Sequence, residues 1–271
     1  GLPMVGNSES GNISLLIPEA LDGLGRIYSE GGGMSRGGPE DSVSVSRFDR
    51  DTRESEVVAR LWRTKPEVTG RSGSAVMMSL PRMLPSDTWA VGKDGRIAVI
   101  RANGYSVEWH LPDGEIISGP ETPFESIPIS YEDKVADLER SRSGGLAVSI
   151  SRNSSGGAQM LMCWGGMLGG GDGPSVEEEE WGETFPPFQE DGTIVSPTND
   201  VWVLRWLPVG RPPQMDVFGP DGMFKGSVVL PEGRQLIGFG EGPDGSDVAY
   251  LVRTDEVDLK WLERYRVVWK G

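Results

Sequence analysis

The residues able to do chemistry are few and scattered. His110 is the single histidine, so neither a histidine metal cluster nor a Ser-His-Asp relay with a spare imidazole can be assembled. It stands beside Trp109 on the polar side of an alternating segment. A solvent-facing strand residue is its plain reading, and a general base the sharper one. Cys163 is the single cysteine, which excludes an intramolecular disulfide. Within Met160-Leu161-Met162-Cys163-Trp164 its thiol reads as a small hydrophobe, with reactive or metal-binding chemistry as the alternative. No Gly-x-Ser-x-Gly elbow is present to hold a hydrolase nucleophile. The clusters Gly31-Gly32-Gly33, Gly156-Gly157 and Gly169-Gly170-Gly171 lack the strand–loop–helix order of a phosphate cradle and read as loops.

Oxygen ligands are more plentiful. Asn103, Asn153, Asn199 and Asp200 each stand near the end of an apolar run. Gathered at one channel they would hold a divalent cation of the kind a metal-dependent lactonase or esterase uses. The same residue types are ordinary turn formers, and no motif ties the four together. The sequence therefore predicts a non-catalytic protein with no cofactor and no assigned metal site.

The most unusual stretch lies between Cys163 and Asp191. A glycine-rich run, Gly165–Gly173, leads into Glu177-Glu178-Glu179-Glu180, bracketed by Trp164 and Trp181 and followed by Phe185-Pro186-Pro187-Phe188. Charge runs are usually solvated loops. Aromatic anchors with a polar rim are also what protein interfaces present. On that second reading Trp164, Trp181, Phe185 and Phe188 bind a partner, and Glu177 to Glu180 form the wet rim.

These side chains need a scaffold, and composition indicates its kind. The 271 residues include 39 glycines and 20 prolines, together with 9 tryptophans, 7 phenylalanines and 5 tyrosines. That is a folded, turn-rich chain of many short strands, expected as one domain over 1–271 with an insertion at about 164–191. The net charge of −15 argues against nucleic acid and anionic membrane surfaces as partners. No apolar run approaches the ~18–20 residues of a membrane span. A start at Gly1 rather than Met reads as processed and leans towards export.

A recurring unit appears when the apolar segments are stacked. Gly95-Arg96-Ile97-Ala98-Val99-Ile100-Arg101 aligns with Asn199-Asp200-Val201-Trp202-Val203-Leu204-Arg205. Weaker copies begin at Gly25, Gly145 and Asp247. Three of the four intervals are near the roughly 40–50 residues of one four-stranded propeller blade. A second feature follows each main copy: Leu111-Pro112-Asp113-Gly114 and Gly219-Pro220-Asp221-Gly222 are hairpin turns in which glycine takes positive φ. Phe48-Asp49-Arg50-Asp51-Thr52 fills the same slot with side-chain bonds. Tyr105, Val107 and Trp109 alternate with polar residues, whereas Ala98–Ile100 and Val201–Leu204 are continuous apolar runs covered on both faces. The predicted fold is all-β, a propeller of five to six four-stranded blades. Its inner strands are expected at Ile27-Tyr28, Arg96–Ile100, Leu146–Ile150, Val201–Arg205 and Val248–Val252. Ser130 and Asp133 cap one short helix carrying Tyr131, Val135 and Leu138 on one face and ending near 141–144.

At Phe48-Asp49, Asp94–Val99, Asp133–Arg140, Asn199–Trp202 and Trp261–Tyr265 the chain resembles exported bacterial six-bladed β-propellers of the NHL-repeat and TolB-like kind. It departs from them in showing five inner strands and in its acidic insertion. The resemblance implies an interaction platform in the periplasm or another extracytoplasmic space. A gluconolactonase-like enzyme or a small-ligand-binding propeller is the alternative. The chain also resembles a membrane-extrinsic subunit capping an energy-transducing complex, such as a bacterial photosynthetic reaction centre with its antenna. That implies other protein subunits of a membrane-bound assembly as partners.

Overall fold

Short apolar runs cut by Asp-Gly pairs fold here as antiparallel meanders. The computed structural model describes the backbone of residues 4–7, 12–15, 18–35, 38–64, 67–72, 75–143, 146–152, 158–164, 175–257 and 259–268, and the side chains of 18–31, 41–64, 80–141, 175–257 and 259–268. Strands β1 (Met4–Asn7) and β2 (Asn12–Leu15) pair as a hairpin. The first larger sheet is β3 (Ala20–Leu21), β4 (Ile27–Ser35), β5 (Gly38–Phe48) and β6 (Ser55–Trp62). A hairpin of β7 (Glu67–Ser72) and β8 (Ala75–Ser79) follows. The second sheet is β9 (Thr88–Val91), β10 (Ile97–Arg101), β11 (Ser106–His110) and β12 (Ile116–Ser118).

Helix α1 (Tyr131–Ser143) and a hairpin of β13 (Leu146–Arg152) and β14 (Ala158–Trp164) precede the third sheet. That sheet is β15 (Thr193–Val195), β16 (Val201–Leu204), β17 (Gln214–Phe218) and β18 (Phe224–Val229). A three-stranded sheet of β19 (Arg234–Glu241), β20 (Asp247–Thr254) and β21 (Lys260–Arg266) completes the order. Among the described residues no helix is long and apolar enough to cross a membrane.

The four larger sheets stack face to face as propeller blades. Strand β10 turns Ile97 and Val99 towards Tyr28, Val45 and Leu61 of the first sheet. Its alternate residues Ala98 and Ile100 pack with Val201, Val203 and Phe218 of the third. Trp202 of β16 joins Leu236, Ala249 and Leu251 of the fourth. A strand buried on both faces must be apolar throughout, as these runs are. Each such side chain contributes about 1.5–3 kcal/mol of burial.

Strands β3, β9, β15 and β19 touch in succession, β3 to β9, β9 to β15 and β15 to β19, and so converge on the axis. The segments expected as inner strands are therefore second strands: β4, β10, β16 and β20 each follow a strand nearer the axis. Those axial strands are short, two to four residues in three of the four sheets, and carry too little periodicity to stand out. Leu146–Ile150 lies in β13, within a two-stranded sheet. Gly31-Gly32-Gly33, read as a loop, lies inside β4.

The first two strands of each larger sheet are joined by one repeated turn. Gly25, Gly95, Asn199 and Gly245 donate their N–H to the carbonyls of Asp22, Gly92, Ser196 and Gly242 at 3.0–3.1 Å. All four have positive φ, at 74°, 85°, 62° and 74°. The Pro-Asp-Gly turns behave as expected, with φ of 91° at Gly114 and 75° at Gly222. Gly119 shows a closer constraint: a Cβ there would lie 2.0 Å from the Gly222 carbonyl oxygen, so the second and third sheets meet backbone to backbone.

The helix begins where predicted. Asp133 donates its N–H to Ser130 Oγ at 3.2 Å, and its carboxylate accepts from Ser130 N and Oγ at 2.9 and 2.6 Å. Leu138 is buried, but Tyr131 is 61% exposed, so the expected apolar stripe does not reach the first turn.

Candidate functional site

Three segments outside the blades, 80–87, 121–141 and 175–190, are laced together over the end where the axial strands begin. Arg82 N–H donates to the Glu180 carbonyl at 2.7 Å and Gly182 N–H to that of Arg82 at 2.9 Å. Phe185 N–H donates to the Ile127 carbonyl at 2.9 Å. We call this layer the cap.

Its aromatics face inward. Phe188 is 2% exposed and sits 5.6 Å from the Tyr105 ring in the core between the second and third sheets. Phe185 is 4% exposed and stacks on Trp206 at 5.9 Å. These two side chains fill the protein's own interior and are not free anchors, a correction to the sequence reading. The apolar -Phe-Pro-Pro-Phe- run signalled burial as much as contact. Trp181 is half-buried, donates Nε1–H to the Val176 carbonyl at 3.0 Å, and lies under Arg82 and Lys134 at 5.6 and 5.7 Å. Trp164 ends β14, and its side chain falls outside the described residues, as do Asn153 and the side chain of Cys163.

The glutamates face outward. Glu177, Glu178 and Glu180 are exposed and Glu179 half-buried. Glu121, Glu125, Glu132 and Glu183 of the cap are exposed as well. The cap's cations, in contrast, cover indoles: Arg82 and Lys134 over Trp181, Arg140 over Trp206 at 5.2 Å. Arg82 also pairs with Asp137 at 2.7 Å. Arg82 and Lys134 are half-buried, whereas Arg140 is exposed, so the cap's outer charge is predominantly negative with one cation among the carboxylates.

Beneath it, where β3, β9 and β15 converge, lies a cavity of about 580 Å³ lined by Glu19, Glu30, Arg63, Trp89, Asp191 and Thr193 among others. Glu30 Oε1 accepts from Arg63 Nη2 at 2.7 Å and Trp89 Nε1 at 2.8 Å. Burial raises the Glu19 carboxyl above its ordinary value, the charges of Glu30 and Asp191 add to the rise, and a backbone bond from Glu30 with the Arg63 charge opposes it. A cavity that gathers two carboxyls, a guanidinium and an indole N–H can bind polar groups. Nothing in the repeat pattern distinguished these residues: Trp89 and Thr193 sit on short axial strands and Glu19 and Asp191 beside them, whereas Glu30 lies in β4 and Arg63 just after β6.

Of the four oxygen-bearing residues, Asn103, Asn199 and Asp200 are described, and Asn103 lies apart from the other two. Asn199 holds the turn position that glycine holds in three other sheets, with Nδ2 donating to Asp94 Oδ2 at 3.4 Å. Asp94 precedes β10, whereas Asn103 follows its far end, a strand of five residues away at about 3.3 Å each. Asp200 is 3% exposed and accepts from Lys225 Nζ at 2.6 Å. Burial raises its carboxyl, and Asp247 and Asp221 add to the rise against the Lys225 bond and charge. Among the described residues no three His, Cys, Asp or Glu side chains are grouped to hold a metal. His110 is not solvent-facing: its side chain is 14% exposed and Nε2 lies 3.6 Å from Glu108 Oε2.

No protein-family model matches the chain, and no curated protein matches it in sequence. Solved structures similar to it include a candidate gluconolactonase, at 13% identity over 91% of this chain and 72% of that one, with a TM-score of 0.26. Virginiamycin B lyase from Staphylococcus aureus is similar at 10% identity over 93% and 84% of the two chains, with a TM-score of 0.24. The propeller arrangement of this chain stands on its own sheet order and on the packing of its second strands.

Proposed function

We propose that the chain is a non-catalytic interaction subunit: an extracytoplasmic propeller that sets its acidic cap against a basic face of a membrane-bound protein assembly. The observation that supports this reading is the charge arrangement of the cap. Exposed glutamates of 121–183 dominate its outer surface, while Arg82 and Lys134 are half-buried over Trp181 and only Arg140, over Trp206, is exposed. Like charges held together on a rigid layer favour docking on the opposite charge, chiefly through faster encounter and correct orientation. The net charge of −15 points to protein rather than lipid or nucleic acid as the surface met. An energy-transducing complex of the photosynthetic reaction-centre and antenna type is the first assembly to test. Native-gel mass measurement of complexes solubilised from the source membrane should find the chain in a particle far heavier than itself. Recovery only as a free chain at low ionic strength would refute the reading.

A further inference from the structure

A second cavity, of about 810 Å³, lies on the other side of β15 between the third and fourth sheets, α1 and the 205–213 loop. Its chemistry runs against the composition of the chain. Four arginines, Arg140, Arg205, Arg211 and Arg234, line it with a single acid, Asp191, in a protein of net charge −15. Its floor is apolar: Met215, Leu230 and Leu236 are buried core residues, and Ile194 and Leu204 pack against them.

The wall is built rather than accidental. Val209 N–H donates to Asp133 Oδ1 at 2.7 Å, which ties the loop to the helix cap. Arg205 is held by Asp216 at 3.0 Å, yet its Nε is buried without a partner. Arg234 is held by Glu263 at 3.2 Å. The exposed Arg211 guanidinium makes no hydrogen bond or ion pair among the described residues. Arg140 pairs with Asp137 at 3.2 Å, so three arginines are held in place and Arg211 is available at the rim.

We propose that this cavity binds an amphipathic organic anion, an alkyl carboxylate or a molecule of like chemistry, with its apolar body on Met215, Leu230 and Leu236 and its anionic head at Arg211. Concave apolar floors with a few polar groups at the edge are the usual form of small-molecule sites. Guanidinium is the side chain best shaped for a planar carboxylate. The cavity borders the cap through Ala136, Arg140 and Gln189 but takes in none of its exposed glutamates, so a test at Arg211 can stand or fall without the partner reading.

The test is calorimetric titration of the full chain with octanoate, octanol and octylamine, which share a tail and differ in charge. Octanoate should bind, octanol several-fold more weakly, and octylammonium not measurably. Arg211→Ala should weaken octanoate about tenfold, the size of one charge-assisted bond, and Arg211→Glu should abolish it. Arg266→Ala, on the exposed outer strand, should change nothing. Arg211 is exposed, so both variants should fold, which a thermal melt of each verifies. Absence of octanoate binding, equal binding of octanol, or unchanged binding by Arg211→Glu would each overturn the proposal.

Discussion

Tyr105 of the second sheet donates its hydroxyl to Asp216 of the third at 2.9 Å, and this bond pins two blades together at the point where both are buried. Asp216 is 1% exposed and also accepts from Arg205 at 3.0 Å and Ser227 at 2.6 Å. Burial first, and then the Asp216 charge and hydrogen bond, push the Tyr105 hydroxyl well above its ordinary pKa, so it stays a donor at any physiological pH.

Removing the two partners should have unequal effects. Tyr105→Phe deletes one of several donors and should cost about 1–3 kcal/mol. Asp216→Ala leaves Arg205 uncompensated in the interior and should cost about 3–5 kcal/mol. Chemical denaturation of both variants provides the comparison, and equal losses would mean that the pair is not organised around the carboxylate.

Asn199 separates a turn role from a ligand role. At φ of 62° glycine is tolerated as well as asparagine, whereas a β-branched residue is strained by roughly 1–2 kcal/mol. Asn199→Gly should therefore melt within a degree or two of the parent, and Asn199→Val clearly lower. A large loss in Asn199→Gly would show that the amide, not the backbone shape, is what matters there.

The helix cap gives a pH dependence. Burial tends to raise the Asp133 carboxyl, but bonds from Ser130 and from Val209 N–H outweigh it and hold the group below its ordinary value of 3.8. The unfolded chain then binds this proton more readily than the folded one. The resulting stability is present above pH 3.8 and is lost as pH falls through the lower folded value. Ser130→Ala should lower stability by about 0.5–2 kcal/mol at neutral pH, and less below the folded pKa. Melts recorded down an acid series would reveal a pH-independent loss if the pairing contributed nothing.

Trp181→Ala should loosen the acidic layer, because the indole fixes Val176 and lies beneath two cations. Assembly with the native partner should weaken by about 1–2 kcal/mol, a hot-spot-sized loss. Replacing Glu177 to Glu180 with Gln should chiefly flatten the salt dependence. Co-purification across an ionic-strength series measures both. Assembly of Trp181→Ala indistinguishable from the parent would leave the cap without a docking role.

Much of the blade architecture was legible because its signals are local. Alternation at Tyr105, Val107 and Trp109, all at most 1% exposed, and the Asp-Gly turns are set by neighbours in sequence. Arg101, Arg205 and Arg253 closing their strands were visible too, but their shared rule was not. Each pairs with the acid facing the residue two positions earlier: Glu108 opposite Val99, Asp216 opposite Val203, Glu263 opposite Leu251. Such pairings need strand register, which the apolar pattern alone does not supply. The inward turn of Phe185 and Phe188 was illegible for a similar reason: the rings they meet belong to Trp206 and Tyr105, in other segments.

The lacing of Arg82 to Glu180 and of Ile127 to Phe185 has a kinetic consequence. Blades are built from hairpins between adjacent strands and can form in any order, since little chain entropy is lost in closing each. The cap joins segments on either side of the second sheet to one just before the third, so its contacts are non-local and late. The order of closure this predicts has both blades formed before Phe185, Phe188 and Trp206 are covered. Until the cap closes, the apolar underside that it covers would be sticky, and conditions that slow closure should favour aggregation over recovery.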